Sequence, residues 1–227
     1  MLERRVAGAP LEHVLGWVDF CGVRIAVEAG VFVPRRRTEY LVEQAVACAP
    51  RGVRPVVVDL CCGSGAVGVA IAAELESAEL YAVDDDDAAV RCAAGNLATL
   101  DGLALLGDLY LPLPPRLRGH IDLLVANAPY VPTAAIALLP PEAREYEPRG
   151  ALDGGPDGLD VQRRIVAGAA SWLAPGGHLL VETSAGQAAG IVALFRQGGL
   201  SARVESSEQL SATVVCGAPV APAGRTA

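Results

Sequence analysis

The 227-residue sequence predicts an α/β fold built on a mostly parallel sheet, with a small β-hairpin in front of it. Three observations carry this reading. From residue 56 onward, short and almost continuously apolar runs such as "VVVDL" and "IDLLVA" alternate with segments of helical periodicity. Strands without inside–outside alternation are buried on both faces, the condition of a parallel sheet covered by helices. Seven such strands can be counted, which suits one domain with a substantial core. The last two lie too close together for a helical crossover, so they run antiparallel.

In chain order, residues 17–33, "WVDFCGVRIAVEAGVFV", alternate apolar and polar around Gly22 and Gly30 and predict the hairpin. "PRRRTEYLVEQAVACA" follows as a helix, with Thr38 as N-cap and Leu41, Val42, Ala45 and Val46 on one face. A strand over 56–60, the loop "CCGSG" and a helix over 66–75 open the main pattern. It continues with a strand over 80–83, a helix over 86–97, and strands over 103–106 and 121–126. After a long Pro- and Gly-rich segment come a helix near 160–173, a strand over 178–182 and a helix near 187–195. Strands near 202–205 and 212–216 complete the sheet. The expected division is an N-terminal segment with the hairpin (1–37), a main domain (38–217) and a flexible tail (218–227).

The net charge of −8, with 18 basic residues that are all Arg, argues against the broad cationic surface that nucleic-acid binding requires. Arg35-Arg36-Arg37 remains as a small cationic patch, read either as a solvated cluster at the helix start or as a surface steering an acidic partner. No apolar run approaches the roughly 18 to 20 residues of a membrane span. The charged N-terminus lacks a signal-peptide core, so a cytoplasmic location is expected. Six cysteines show neither a CxxC pair nor a His at metal-ligand spacing; reduced, mostly buried thiols are expected, and no metal. In "VDDDD", Asp85 to Asp87 fall where negative charge favours a helix N-terminus.

Gly63-Ser64-Gly65-Ala66-Val67-Gly68 matches G-x-G-x-x-G, with Asp84 further on. A dinucleotide loop begins its glycines directly after the strand, whereas here Asp59-Leu60-Cys61-Cys62 intervene. The arrangement Asp-x-x-x-Gly-x-Gly instead resembles the first motif of class I S-adenosylmethionine methyltransferases. That resemblance implies a Rossmann-like fold, S-adenosyl-L-methionine as cofactor and S-adenosyl-L-homocysteine as product. Gly63 and Gly65 would let the backbone approach the methionine moiety, Asp59 would organise its ammonium, Asp84 would accept the ribose hydroxyls and Asp108 the adenine amino group. Cys61, Cys62, Ser64, Asp85, Leu109 and Asn127 complete the expected cofactor-binding set.

The fourth strand stops on Asn127-Ala128-Pro129-Tyr130, on the same sheet edge as the glycine loop. The Asn127 side chain offers a donor and an acceptor. Ala128 precedes a proline, which biases its backbone to an extended form and fixes the direction of its carbonyl. Two oxygens, from the Asn127 side chain and the Ala128 backbone, would accept the two N–H groups of a planar amino or amide group. Asn127, Ala128, Pro129 and Tyr130 form the expected catalytic set, and Phe32, Asn127, Ala128 and Tyr130 the acceptor pocket. An Asn-Pro turn beside a core tyrosine is the alternative for this stretch alone. No His or Glu near these motifs stands out as a base, which suits an in-line displacement driven by positioning.

"VDLCCGSGAVGVAIA", "YAVDDDDAAVRCAAGN", "IDLLVANAPYV", "REYEPRGALDGGPDGLDVQRRI" and "LAPGGHLLVET" together resemble the HemK/PrmC family of protein-glutamine N5-methyltransferases over nearly the whole chain. "GAPLEHVLG" and "GVFVPRRRTEYLVEQA" resemble its hairpin region. The resemblance implies a protein glutamine amide as methyl acceptor. Three positions depart from the family pattern: Ala128 replaces the first proline of Asn-Pro-Pro-Tyr, Cys61 replaces a usual glycine, and "PRRRTE" replaces Pro-Arg-Pro-acidic-Thr-Glu. Only a short segment precedes the matching region, where release-factor methyltransferases carry a helical domain. The expectation is therefore a related group with Asn-[Val/Ala/Thr]-Pro-Tyr and an unassigned protein substrate. Methylation of an exocyclic amine on a small molecule or nucleobase, and cofactor binding without catalysis, stand as alternatives.

Overall fold

Seven strands form one sheet in the order β5-β4-β3-β6-β7-β9-β8, and a separate two-stranded hairpin, β1-β2, packs beside it in a computed structural model that describes residues 1–220. The elements in chain order are α1 (Leu2–Val6), α2 (Leu11–Leu15), β1 (Trp17–Phe20), β2 (Val23–Ala26), α3 (Glu39–Cys48), β3 (Val56–Leu60), α4 (Ala66–Glu74), β4 (Glu79–Asp84) and α5 (Asp87–Leu97). They continue with β5 (Gly102–Leu106), β6 (Ile121–Ala126), α6 (Pro141–Tyr146), α7 (Asp160–Ala169), β7 (Leu173–Thr183), α8 (Ala188–Gln197), β8 (Arg203–Ser207) and β9 (Ala212–Gly217).

β3 pairs in parallel with β4 on one side and β6 on the other, β5 extends the first half, and β7 extends the second. Chain order reverses between β3 and β6, and the crevice beyond the carboxyl ends of strands at such a switch point is where open α/β sheets bind ligands. The final strands are antiparallel as predicted, with β9 inserted between β7 and β8. Two apolar cores cover the sheet. On one face lie Ile25, Leu41, Ile71 and Leu97; on the other lie Ile165, Trp172, Ile191 and Phe195.

The hairpin turns at Cys21 and Gly22, both at positive φ (51° and 71°), which is the backbone of a type I′ turn. It is part of the core: Phe20 and Ile25 are buried, and the Asn96 side chain both donates to and accepts from the Ala26 backbone at 2.9 Å.

Several expectations need correction. Two short N-terminal helices, α1 and α2, precede the hairpin. Thr38 ends a 3-10 turn in helical conformation, and its hydroxyl makes no cap bond to α3. α7 ends at Ala169, and β7 already begins at Leu173. The Pro175-Gly176-Gly177 stretch that looked like a strand boundary is a register shift within the β6–β7 pair. Of the tail expected over 218–227, Val220 still donates its N–H to the Gly199 carbonyl at 3.0 Å, and residues from 221 on lie outside the described residues. No helix among the described residues is long and apolar enough to cross a membrane.

Candidate active site at the sheet switch point

The chain leaves β3 through a loop in which Cys61, Gly63 and Gly65 all have positive φ (56°, 55° and 76°), and it enters α4 at Ala66. Buried Asp59 accepts the Gly68 N–H at 2.9 Å, satisfying one of the unpaired donors in the first turn of α4. Asp84, at the end of β4, accepts the Gly63 N–H at 2.9 Å and the Asp86 N–H at 3.0 Å, so the loop is tied to the neighbouring strand. The acidic run divides its work. Asp86 caps α5 through the Ala88 and Ala89 N–H groups, Asp87 pairs with Arg91, and Asp85 faces the crevice. After β5, Leu109 also turns at positive φ (48°), and Asp108 is ion-paired with Arg164 of α7.

Opposite this loop, Asn127 follows β6 and donates its Nδ2 to Thr38 Oγ1 at 3.3 Å. That contact leaves Asn127 Oδ1 as the free acceptor. Gln162 of α7 donates Nε2 to the Pro129 carbonyl at 3.1 Å and approaches the Ala128 carbonyl at 3.5 Å. The Tyr130 hydroxyl lies 3.5 Å from Glu182 Oε1, which also accepts Arg37 Nε at 3.1 Å, while Glu182 Oε2 is buried without a hydrogen-bond partner among the described residues. The Tyr130 carbonyl accepts Gln187 Nε2 at 2.9 Å. This backbone is approached so closely by Gly158 (φ 77°) that a Cβ there would lie 2.3 Å from the Tyr130 carbonyl oxygen.

The arginine run resolves differently from either sequence reading. Arg35 Nη2 sits 2.6 Å from both oxygens of buried Glu147, which also accepts the Val33 N–H, and Arg37 serves Glu182. Two of the three guanidinium groups are thus internal anchors. Arg35 also covers the Phe32 ring at 4.9 Å, holding that side chain against the crevice.

Burial raises Asp59 to about 7, a shift opposed by the Gly68 N–H and reinforced by Asp84. Burial also raises Asp84, against the Gly63 and Asp86 N–H groups. Glu182 is raised by burial and held down by neighbouring Thr38 and Arg37; Tyr130 is pushed up to about 12 by burial and by Glu182. The Cys61 and Cys62 thiols are driven well up by burial and the surrounding carboxylates, so neither is a thiolate nucleophile.

These elements enclose a cavity of about 190 Å³. Of the residues expected at the site, it brings together Phe32, Asp59, Cys61, Cys62, Gly63, Ser64, Asp84, Asp85, Asp108, Leu109, Asn127 and Pro129. Gly65, Ala128 and Tyr130 are not in its wall. Gly65 serves packing, since a Cβ there would meet Leu97 at 2.9 Å and Ala93 at 3.2 Å. Ala128 is buried beneath the wall, and Tyr130 turns toward Glu182. Sequence reading missed Thr38 as a lining residue, together with Pro148, Gly150, Ala151, Val161 and Arg164. The one signal for the last five was the dense Gly, Pro and Arg content of "EYEPRGALDGGPDGLDVQRR".

Five carboxylates, Asp59, Asp84, Asp85, Asp86 and Asp108, line this cavity, and Ser64 Oγ is buried in its loop with no hydrogen-bond partner among the described residues. Such a surround fits a net-cationic ligand rich in hydroxyl and amino groups, as S-adenosylmethionine is. A glycine loop after the first parallel strand, acids after the next two and an amide after the fourth, all at the switch point, define a class I methyltransferase.

The comparisons make this specific. The Methyltransferase small domain family matches residues 23–138. The chain is 41% identical over 201 residues to the release factor glutamine methyltransferase of Geobacter sulfurreducens, covering 88% of this chain and 69% of that protein. It is 43% identical over 203 residues to the one of Gloeobacter violaceus, covering 85% and 68%. The crystal structure of the release factor-specific protein-(glutamine-N5) methyltransferase of Alicyclobacillus acidocaldarius aligns with a TM-score of 0.50 at 25% identity, covering 82% of this chain and 93% of that one. The chain belongs to the release factor glutamine methyltransferase family, a family of S-adenosylmethionine-dependent enzymes.

Proposed function

We propose that the cavity binds S-adenosylmethionine and that Asn127 presents to it the side-chain amide of a glutamine in a protein, a release factor being the acceptor that the relatives' names give. The observation that carries this is the anchoring of Asn127: its amide nitrogen is committed to Thr38, so its oxygen is the acceptor left at the cavity wall.

The cofactor supplies, when bound, a methyl group activated by a positively charged sulfur. Everything else falls to the chain. Asp84 would hold the ribose hydroxyls with the lone pairs its two backbone contacts leave free, and Asp59 would balance the ammonium charge. Asp108, one oxygen of which is held by Arg164, would hold the adenine amino group. On the acceptor side, an amide nitrogen is a poor nucleophile because its lone pair is delocalised. Asn127 Oδ1 accepting one N–H orients the nitrogen and stabilises positive charge developing on it, while the Ala128 carbonyl, which the sequence offered as the second acceptor, lies beneath the wall against Gln162. Gln162 steadies the Ala128-Pro129 backbone, and Phe32, pinned by Arg35, closes the side of the pocket.

The test is direct. The purified protein, S-adenosylmethionine and the release factors of the same cell are incubated, and peptides are read by mass spectrometry. Addition of one methyl group to a glutamine, lost when that glutamine is replaced by asparagine, is the expected result. Tight cofactor binding with no glutamine methylated in those factors, nor in the proteome of producing compared with deleted cells, would overturn the proposal.

A further inference from the structure

We propose that Cys48, His178 and Cys216 form a zinc-binding site on the opposite end of α3 from Thr38. The three residues come from three elements, the last turn of α3, the body of β7 and the penultimate position of β9. One ligand atom from each lies within 4.8 Å of the others. None of them lines the active-site cavity.

The spacing of the sulfurs is informative. Cys48 Sγ and Cys216 Sγ are 3.7 Å apart. A disulfide requires about 2.05 Å. Two Zn–S bonds of about 2.3 Å at a tetrahedral angle hold their sulfurs about 3.8 Å apart, so the pair is already set for a metal between them. The third group carries an unmet need: His178 Nδ1 is buried and has no hydrogen-bond partner among the described residues. An imidazole left unpaired beside two thiols is costly as it stands and becomes satisfied when the cluster is metallated.

Charge and the contacts made to the sulfur agree with a dication. Two thiolates neutralise it, and the remaining pair cancels: Arg203 donates Nη2 to Cys48 Sγ at 3.1 Å and Nε to Glu205 at 2.9 Å. Such outer hydrogen bonds to ligand atoms are a regular part of metal sites. The donor set of two sulfurs and one imidazole selects zinc over magnesium or calcium, which take oxygen ligands. Cys216 is buried whereas Cys48 and His178 are partly exposed, which gives the ion a route in and leaves a fourth position for water. The ion would clamp the C-terminal end of α3 to β7 and β9 and thereby steady the helix that follows Thr38.

The experiment uses the whole chain, reduced and stripped of metal, titrated with cobalt(II) as an optical probe and then with zinc. One equivalent of cobalt should give thiolate-to-metal charge transfer with tetrahedral d–d bands, and zinc should displace it. Cys48→Ser and His178→Ala should each weaken zinc binding beyond the roughly 10- to 100-fold that follows loss of a group hydrogen-bonded to a ligand. Cys21→Ser, remote from the cluster, should bind like the parent. Should the ligand variants fail to fold, alkylation of Cys48 in the parent chain reads the same point, because zinc must slow it. Absence of the charge-transfer band, equal affinity in the ligand variants, unprotected Cys48, or formation of a Cys48–Cys216 disulfide without metal uptake by the reduced chain would each overturn the proposal.

Discussion

Thr38→Val tests how Asn127 is held, because it removes the hydroxyl that accepts Asn127 Nδ2 while preserving the volume of a side chain that is 1% exposed. The bond is long, at 3.3 Å, and neutral, so its net worth lies in the lower part of the range of about 0.5 to 1.5 kcal/mol. A factor of ten corresponds to about 1.4 kcal/mol, so the methyl-transfer rate should fall about two- to fivefold. Asn127→Ala removes the acceptor itself and should cost about a hundredfold or more, the scale of losing one preorganised transition-state contact. In both variants cofactor affinity should stay near that of the parent. The two effects must not add: once Asn127 is alanine, Thr38 has nothing to orient, and Thr38→Val should cost little further. Single-turnover methylation of a glutamine-bearing acceptor, with cofactor affinity measured separately by calorimetry, reads all four forms. Full activity in Asn127→Ala, or strict additivity in the double variant, would refute the amide-orienting role.

Three further outcomes follow from the same geometry. Asp84→Ala should weaken S-adenosylmethionine about 10- to 100-fold by calorimetry, because a charge-assisted acceptor worth roughly 1.5 to 3 kcal/mol is lost; unchanged affinity would place the cofactor elsewhere. Burial raises Asp59 from 3.8 in the unfolded chain to about 7, so the native state holds one more proton between those values. Stability in the absence of cofactor should therefore fall as pH rises across that window, by roughly 4 kcal/mol in all, and level off above it. Urea titrations of Asp59→Asn should lack that component, and an identical slope in parent and variant would contradict it. Cys61→Gly should raise the melting temperature. Relief of a non-glycine residue at φ 56°, about 1 to 2 kcal/mol, outweighs the added chain entropy of about 0.5 to 1 kcal/mol.

The sheet was legible because burial on both faces writes itself as continuous apolar sequence: the bounds read for β3 and β6 coincide with those observed. The short helices α1 and α2 carry no comparable periodicity. They are fixed by distant partners, with His13 bonded to the Val31 carbonyl at 2.8 Å and Arg4 to the His13 carbonyl at 3.1 Å. At Pro175-Gly176-Gly177 the usual punctuation for a strand end sits inside β7, because neighbouring β6 accommodates a register shift there. Thr38 shows how a generic signal misleads. A threonine before a helix is read as a cap, yet here its hydroxyl is drawn 89 positions along the chain to Asn127.

A single rule separates the functional groups that could be read from those that could not. Asp59, Asp84, Asp108 and Asn127 each stand in or just after a strand, and strand ends are visible in sequence, so their convergence on one sheet edge follows from parallel topology alone. The groups that hold or cover them, Arg164 on Asp108 and Gln162 beneath Pro129, lie on helix α7, whose facing residues are set by tertiary packing. Cys48, His178 and Cys216 belong to this second kind. Spacing motifs such as CxxC report sites built on one turn or one loop, and a cluster gathered from a helix and two strands has no such spacing to report. The absence of a metal motif in the sequence is therefore silent about the site that α3, β7 and β9 assemble.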